Sequence, residues 1–116
     1  MQRDPYAYLN DARAAIDAIG DFTRGKTFDE FTVQPLLRSA VERQLQIVGE
    51  ALAQLARVDP ALAGRIPNLP RIVSFRNILV HGYAVVDHDQ VWSAVQKRLP
   101  ELRAVLERLL GEADKG

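Results

Sequence analysis

Trp92, Val95, Leu99, Leu102, Leu106 and Leu109 follow one another at alternating intervals of three and four residues. Positions so spaced fall on one face of an α-helix, whereas the faces of a strand repeat every second residue. The pattern runs straight across Pro100, so it predicts one long helix with a kink there rather than two helices. Asp87-His88-Asp89-Gln90 supplies a capped start, with acidic groups in the first turn where the helix dipole favours them. Along this helix Trp92 is read as core and His88 as surface, and residues 111–116 are expected to fray.

The same period occurs twice earlier in the chain. Asp4-Pro5 reads as a cap followed by a proline in the first turn, where a missing N–H does no harm. Leu9, Ala12, Ile16 and Ile19 then form one apolar stripe that Gly25 is placed to end. Tyr6 and Tyr8 are expected on the rim of this helix. Thr27-Phe28-Asp29-Glu30 has the form of a capping box and predicts a short turn before a second long helix over about 33–57. That helix tolerates Pro35 in its first turn and should bury Leu37, Val41, Leu45, Val48, Leu52 and Leu55.

Gly49, in its middle, costs about 1 kcal/mol relative to alanine. The close approach of another helix is the expected compensation. Asp59-Pro60 and Ile66-Pro67-Asn68-Leu69-Pro70 punctuate the next connection, with room for one short turn around 61–63. Ala84-Val85-Val86 is too short to make a sheet, no strand-like alternation of useful length occurs, and there is no internal repeat. The expected fold is all-α, an antiparallel up-down bundle of four main helices plus one or two short turns. At 116 residues the chain, 1–116, fits one domain with one core.

Composition narrows the chemistry. With no cysteine and two histidines, neither a disulfide framework nor a thiolate metal site can be built, and a metal cage is not expected. Fifteen basic residues balance fifteen acidic ones, so any contact with a polyanion must be focused locally. Arg65, Arg71 and Arg76 form the best candidate patch, since no acidic residue lies between them, although scattered solvated charges would look the same. No run approaches the ~20 apolar residues of a membrane span, and the first residues lack an apolar signal core. The expectation is a soluble cytoplasmic protein without a membrane partner.

Against this background Phe75-Arg76-Asn77-Ile78-Leu79-Val80-His81-Gly82-Tyr83 stands out. As a helix, capped by Asn68 with Pro70 in its first turn and ended by Gly82, it places Asn77 and His81 one turn apart with Ser74 beside them. Ile72, Phe75, Ile78 and Leu79 cover much of the remaining circumference, and Val73 and Val80 flank Arg76. The helix is therefore expected to be largely buried, its polar groups forming a notch, with Tyr83 near the mouth. Buried Arg and His groups are costly unless paired or facing a cleft. From the residues alone two readings stay open, a functional cluster or one helix-capping Arg and one satisfied core His. Glu42, Arg43 or Glu50 could orient Arg76 or His81.

Arg76-x4-His81-x-Tyr83 resembles the signature of HEPN domains, specifically their HepT-like toxin branch. Val41-Glu42-Arg43-Gln44-Leu45-Gln46-Ile47-Val48-Gly49-Glu50-Ala51 is similar to that branch's long-helix segment, and Val86-Asp87-His88-Asp89-Gln90-Val91-Trp92 to the segment on the C-terminal side of its motif. The three matches lie in the family's order and cover nearly the whole chain. The resemblance implies the same helical bundle that the apolar pattern predicts. It also implies a ribonuclease toxin of a type VII-like toxin–antitoxin pair that needs neither metal nor cofactor. Arg76 would bind phosphate, His81 transfer protons, Asn77 support either side chain, and Tyr83 contact substrate or partner. Histidine suits proton transfer because its pKa lies near operating pH, and arginine's permanently charged fork suits phosphate. One His cannot be acid and base at once, and HEPN domains answer this by facing two motifs across a homodimer. HepT-like proteins are neutralised by a nucleotidyltransferase antitoxin that can modify the motif tyrosine, here Tyr83, with adenylyl groups. The alternative is a catalytically idle helical module that docks on a nucleotidyltransferase or binds a nucleotide.

Overall fold

Two helices with apolar stripes, Pro5–Thr23 (α1) and Pro35–Val58 (α3), pack against each other and form the centre of the protein. This computed structural model describes residues 3–81 and 87–115. Asp4 caps α1, its Oδ1 accepting the Tyr6 N–H at 2.9 Å. Gly25, at φ +73°, takes the left-handed turn that glycine adopts without a Cβ penalty. Thr27 and Glu30 complete the capping box of the short helix Phe28–Val33 (α2): the Glu30 N–H donates to Thr27 Oγ1 at 3.1 Å, and the Thr27 N–H donates to Glu30 Oε1 at 3.2 Å.

The connection after α3 folds as a single turn, Pro60–Ala63 (α4), with Asp59 Oδ1 accepting from the Leu62 N–H. The motif helix, Leu69–His81 (α5), comes next. Asn68 introduces it at φ +63°, a conformation that asparagine tolerates better than most residues. Its main-chain carbonyl accepts from the Arg71 and Ile72 N–H groups at 3.0 and 3.2 Å.

His88–Ser93 (α6), a π-helical turn Ala94–Arg98 and Leu99–Lys115 (α7) make one continuous helical run. Asp87 caps it, accepting from the Asp89 N–H. The expected kink region proves to be a widened turn, in which the Leu99 N–H donates to Ala94 O. Pro100 explains the widening, because it has no N–H for the carbonyl four residues back and its ring crowds that carbonyl. The apolar stripe survives, with Val95, Leu99, Leu102, Leu106 and Leu109 all buried. Trp92 is half-buried and packs at 5.2 Å centroid distance on Phe31, which is fully buried.

Among the described residues there is no strand, and the fold is the expected all-α bundle: four long helical segments and two short ones. A single apolar cluster joins α1, α3 and the C-terminal run. Arg103 to Asp17 at 2.6 Å and Arg13 to Glu107 at 3.1 Å tie α1 to α7 at the surface. Among the described residues no helix is long and apolar enough to cross a membrane.

Several details differ from expectation. Leu37 is half-buried rather than core. The C-terminal segment continues as helix to Lys115 instead of fraying at 111, and Glu112 there pairs with Arg65 at 2.7 Å. His88 is half-buried rather than on the surface, because its ring stands edge-on to Phe31 at 6.1 Å. Its Nδ1 is buried without a hydrogen-bond partner among the described residues.

Candidate functional site

α5 rests on α3, and the contact centres on Gly49 and Arg76. A Cβ built on Gly49 would stand 2.6 Å from Arg76 Cγ and closer still to Arg76 Cβ. The glycine therefore makes room for the stem of the arginine against the α3 backbone. This is the close approach expected at Gly49, and the neighbour that needs it is the motif arginine itself. The stem fixes where the guanidinium begins. Arg76 is half-buried, and its Nε is buried with no hydrogen-bond partner among the described residues. An unsatisfied charged donor of this kind favours an acceptor such as a phosphate oxygen or carboxylate.

The rest of α5 is more open than its sequence implies. Ser74 and Asn77 are exposed, Ile78 is 49% exposed, and Ile72, Val73, Phe75 and Leu79 are only half-buried. The expectation of a largely buried motif helix is thus corrected to a helix that packs on α3 and, among the described residues, leaves the side with Ser74, Asn77 and Ile78 exposed. The cause is geometric: among the described residues the close packing of α5 is on α3, with none comparable on the C-terminal run.

Asn77 lies on the open face, and His81, the last residue of α5, occupies the position one helical turn further on. Arg76 and His81 are five residues apart, roughly 7.5 Å along the helix axis. The side chain of His81 and residues 82–86, with Tyr83 and the expected helix-ending Gly82, lie outside the described part of the structure. Arg43 pairs with Glu50 at 3.8 Å. Among the described residues neither Glu42 nor Glu50 forms a salt bridge with Arg76. The expected basic patch contracts as well, since Arg65 is neutralised by Glu112 while Arg71 stays exposed. Among the described residues no three His, Asp or Glu side chains gather as a metal-ligand set.

Sequence reasoning missed a groove beside the motif. It has a volume of about 260 Å³ and runs between α3, the first half of α5 and the π-turn with the start of α7. Phe75, Leu102 and Val105 contribute to its walls, and Arg71, Arg98 and Glu101 to its polar lining. No local signal marks it, because its walls come from segments up to sixty residues apart whose apolar positions read as ordinary core.

The model of the ribonuclease HepT-like family matches residues 12–109. A protein of Thermococcus cleftensis named "Probable ribonuclease HepT" is 33% identical over 109 residues, 94% of this chain and 98% of that one. One of Methanocaldococcus jannaschii, named "Putative RNase", is 31% identical over 108 residues, 91% of this chain and 96% of that one. A second protein of that archaeon, named "Gamma-glutamylcyclotransferase and putative RNase", is 32% identical over 115 residues, and this chain spans about half of it (51%). No solved structure matches. The all-α bundle fits these matches, and the chain belongs to the ribonuclease HepT-like family.

Proposed function

We propose that this protein is a metal-independent endoribonuclease, the toxin of a type VII-like toxin–antitoxin pair. The observation that carries the reading is the Gly49 seat of Arg76, with an unsatisfied guanidinium edge, on the helix that bears Asn77 and His81. Family membership and relatives named as ribonucleases support it.

In the proposed reaction the RNA 2′-hydroxyl loses its proton to one His81 and attacks the adjacent phosphorus. Arg76 binds the developing phosphorane oxygens. The leaving 5′-oxygen takes a proton from a second His81, and the products are a 2′,3′-cyclic phosphate and a free 5′-hydroxyl. Because one imidazole cannot serve both ends at once, the second His81 comes from another copy of the chain. A homodimer through the open face of α5 would provide it and would cover Ile78, which is otherwise an exposed apolar side chain next to Asn77. Asn77 then supports Arg76 or His81 from the edge of the cleft.

Neutralisation is assigned to a partner nucleotidyltransferase that attaches adenylyl groups to the Tyr83 hydroxyl. The added phosphate would compete with substrate for the charge of Arg76. The decisive test is cleavage of a labelled RNA by the purified protein and by Arg76→Ala and His81→Ala variants of unchanged helical content. Loss of cleavage in both supports the assignment, and full activity in both refutes it.

A further inference from the structure

We propose that the groove between α3, α5 and the π-turn is a subsite for one nucleobase of the RNA, flanking the bond that is cut. The inference rests on the ribonuclease reading of the motif but concerns residues outside it.

Three features select this occupant. The first is size: about 260 Å³ lies just below the roughly 300–1,000 Å³ of clefts that hold drug-sized molecules, enough for a base with part of its ribose and too small for a packed helix. The second is the wall. Phe75 presents an aromatic ring and Leu99, Leu102 and Val105 an apolar surface, the kind of lining on which bases stack without regard to sequence. The third is charge. Arg71 on α5 and Arg98 on the π-turn bring cations to the groove from different helices, and neither has a carboxylate within salt-bridge distance among the described residues. A base held between them has its neighbouring phosphates within reach of both arginines. Glu101 and Asn68, also in the lining, can accept hydrogen bonds from the exocyclic amine of a base.

The groove ends beside the motif, its lining on α5 stopping at Phe75 next to Arg76. Arg71, Phe75 and Ile78 succeed one another at intervals of four and three along α5 and so share one side of it. Ile78 borders Asn77 on the open face. An RNA strand with its phosphate at Arg76, in the cleft between two copies, would pass the Phe75 end of the groove, where an adjacent base enters. The chain's zero net charge makes such a local subsite useful, because no global field holds the RNA in place.

The test uses an oligoribonucleotide with 2′-O-methyl groups, which lacks the attacking hydroxyl, and measures its affinity by fluorescence anisotropy. Arg71→Ala and Arg98→Ala, both at exposed positions, should each weaken binding several-fold, and the loss should shrink as salt is raised. Removing single bases from the oligonucleotide should cost about tenfold at one position. That position-specific loss should vanish in Val105→Trp, whose indole fills the groove.

If base removal makes no difference at any position, or if Val105→Trp dissociates a dimer while leaving RNA affinity intact, the subsite is refuted even when cleavage itself is confirmed. Conversely, base-dependent binding by a protein that cuts no RNA would keep the subsite and remove the ribonuclease reading.

Discussion

Arg76 lies against Gly49 so closely that a methyl group on the glycine would stand 2.6 Å from the arginine's Cγ. Gly49→Ala should gain about 1 kcal/mol of helix propensity and lose about 1–3 kcal/mol to overpacking. The net expectation is a lower melting temperature and reduced RNA cleavage, because α5 must shift to relieve the contact. Gly20→Ala in α1 and Gly111→Ala in α7 have open space at the same place, so they keep the propensity gain without the clash. Both should melt higher than the wild type in the same calorimetric scan. A Gly49→Ala protein that melts with them would show that α5 can yield without strain.

Removing the Thr27 hydroxyl should detach the start of α2. Thr27→Ala leaves the Glu30 N–H without its acceptor at 3.1 Å and breaks the reciprocal box, a loss of about 0.5–2 kcal/mol measurable by urea unfolding. Because α2 carries Phe31 beneath Trp92, the loss should also appear as a change in Trp92 fluorescence.

Stability should fall in acid through Asp17, whose carboxyl is held below the usual carboxylate range by its hydrogen bond from Arg103. A depressed folded-state pKa means that the unfolded chain takes up the proton first. The contribution is complete above the unfolded value of about 3.9 and is lost as the pH falls through the lower, folded one. Wild type should therefore lose more stability than Asp17→Asn on going from about pH 5 to about pH 3, and the difference should be small because both partners are exposed. Equal losses would show that the pair contributes nothing.

The stops, starts and stripes of this chain could be read from single residues, because each depends on chemistry within one turn: Asp4 and Thr27 cap, Gly25 reverses, and Val95 to Leu109 repeat. What could not be read depends on which segments meet. Ile72, Phe75, Ile78 and Leu79 have the composition of a buried helix, yet among the described residues α5 is covered closely on the α3 side only, and Ile78 is left open. Arg65 looked like a member of a basic patch until the helix beyond residue 111 brought Glu112 to it. Gly49 announced a close approach, but only the fold could name Arg76 as the neighbour. The π-turn before Pro100 was legible as a disturbance and not as its form.

Incubation with ATP and a partner nucleotidyltransferase should raise the intact mass of the wild type by adenylyl units, leave Tyr83→Phe unchanged, and silence cleavage in step with the mass gain. An equal gain on both proteins would move the acceptor away from Tyr83.

The most direct measurement is cleavage of a labelled single-stranded RNA by the purified protein in the presence of a chelator, beside its Arg76→Ala and His81→Ala variants. Removing a general acid–base group typically costs about 10²–10⁴ in rate, and removing a charge that stabilises the transition state a comparable factor. The wild type should cut to 2′,3′-cyclic phosphate ends, undiminished by the chelator, and both folded variants should lose at least about a hundredfold. Cleavage that survives in both variants, or that ceases when divalent ions are removed, would contradict it.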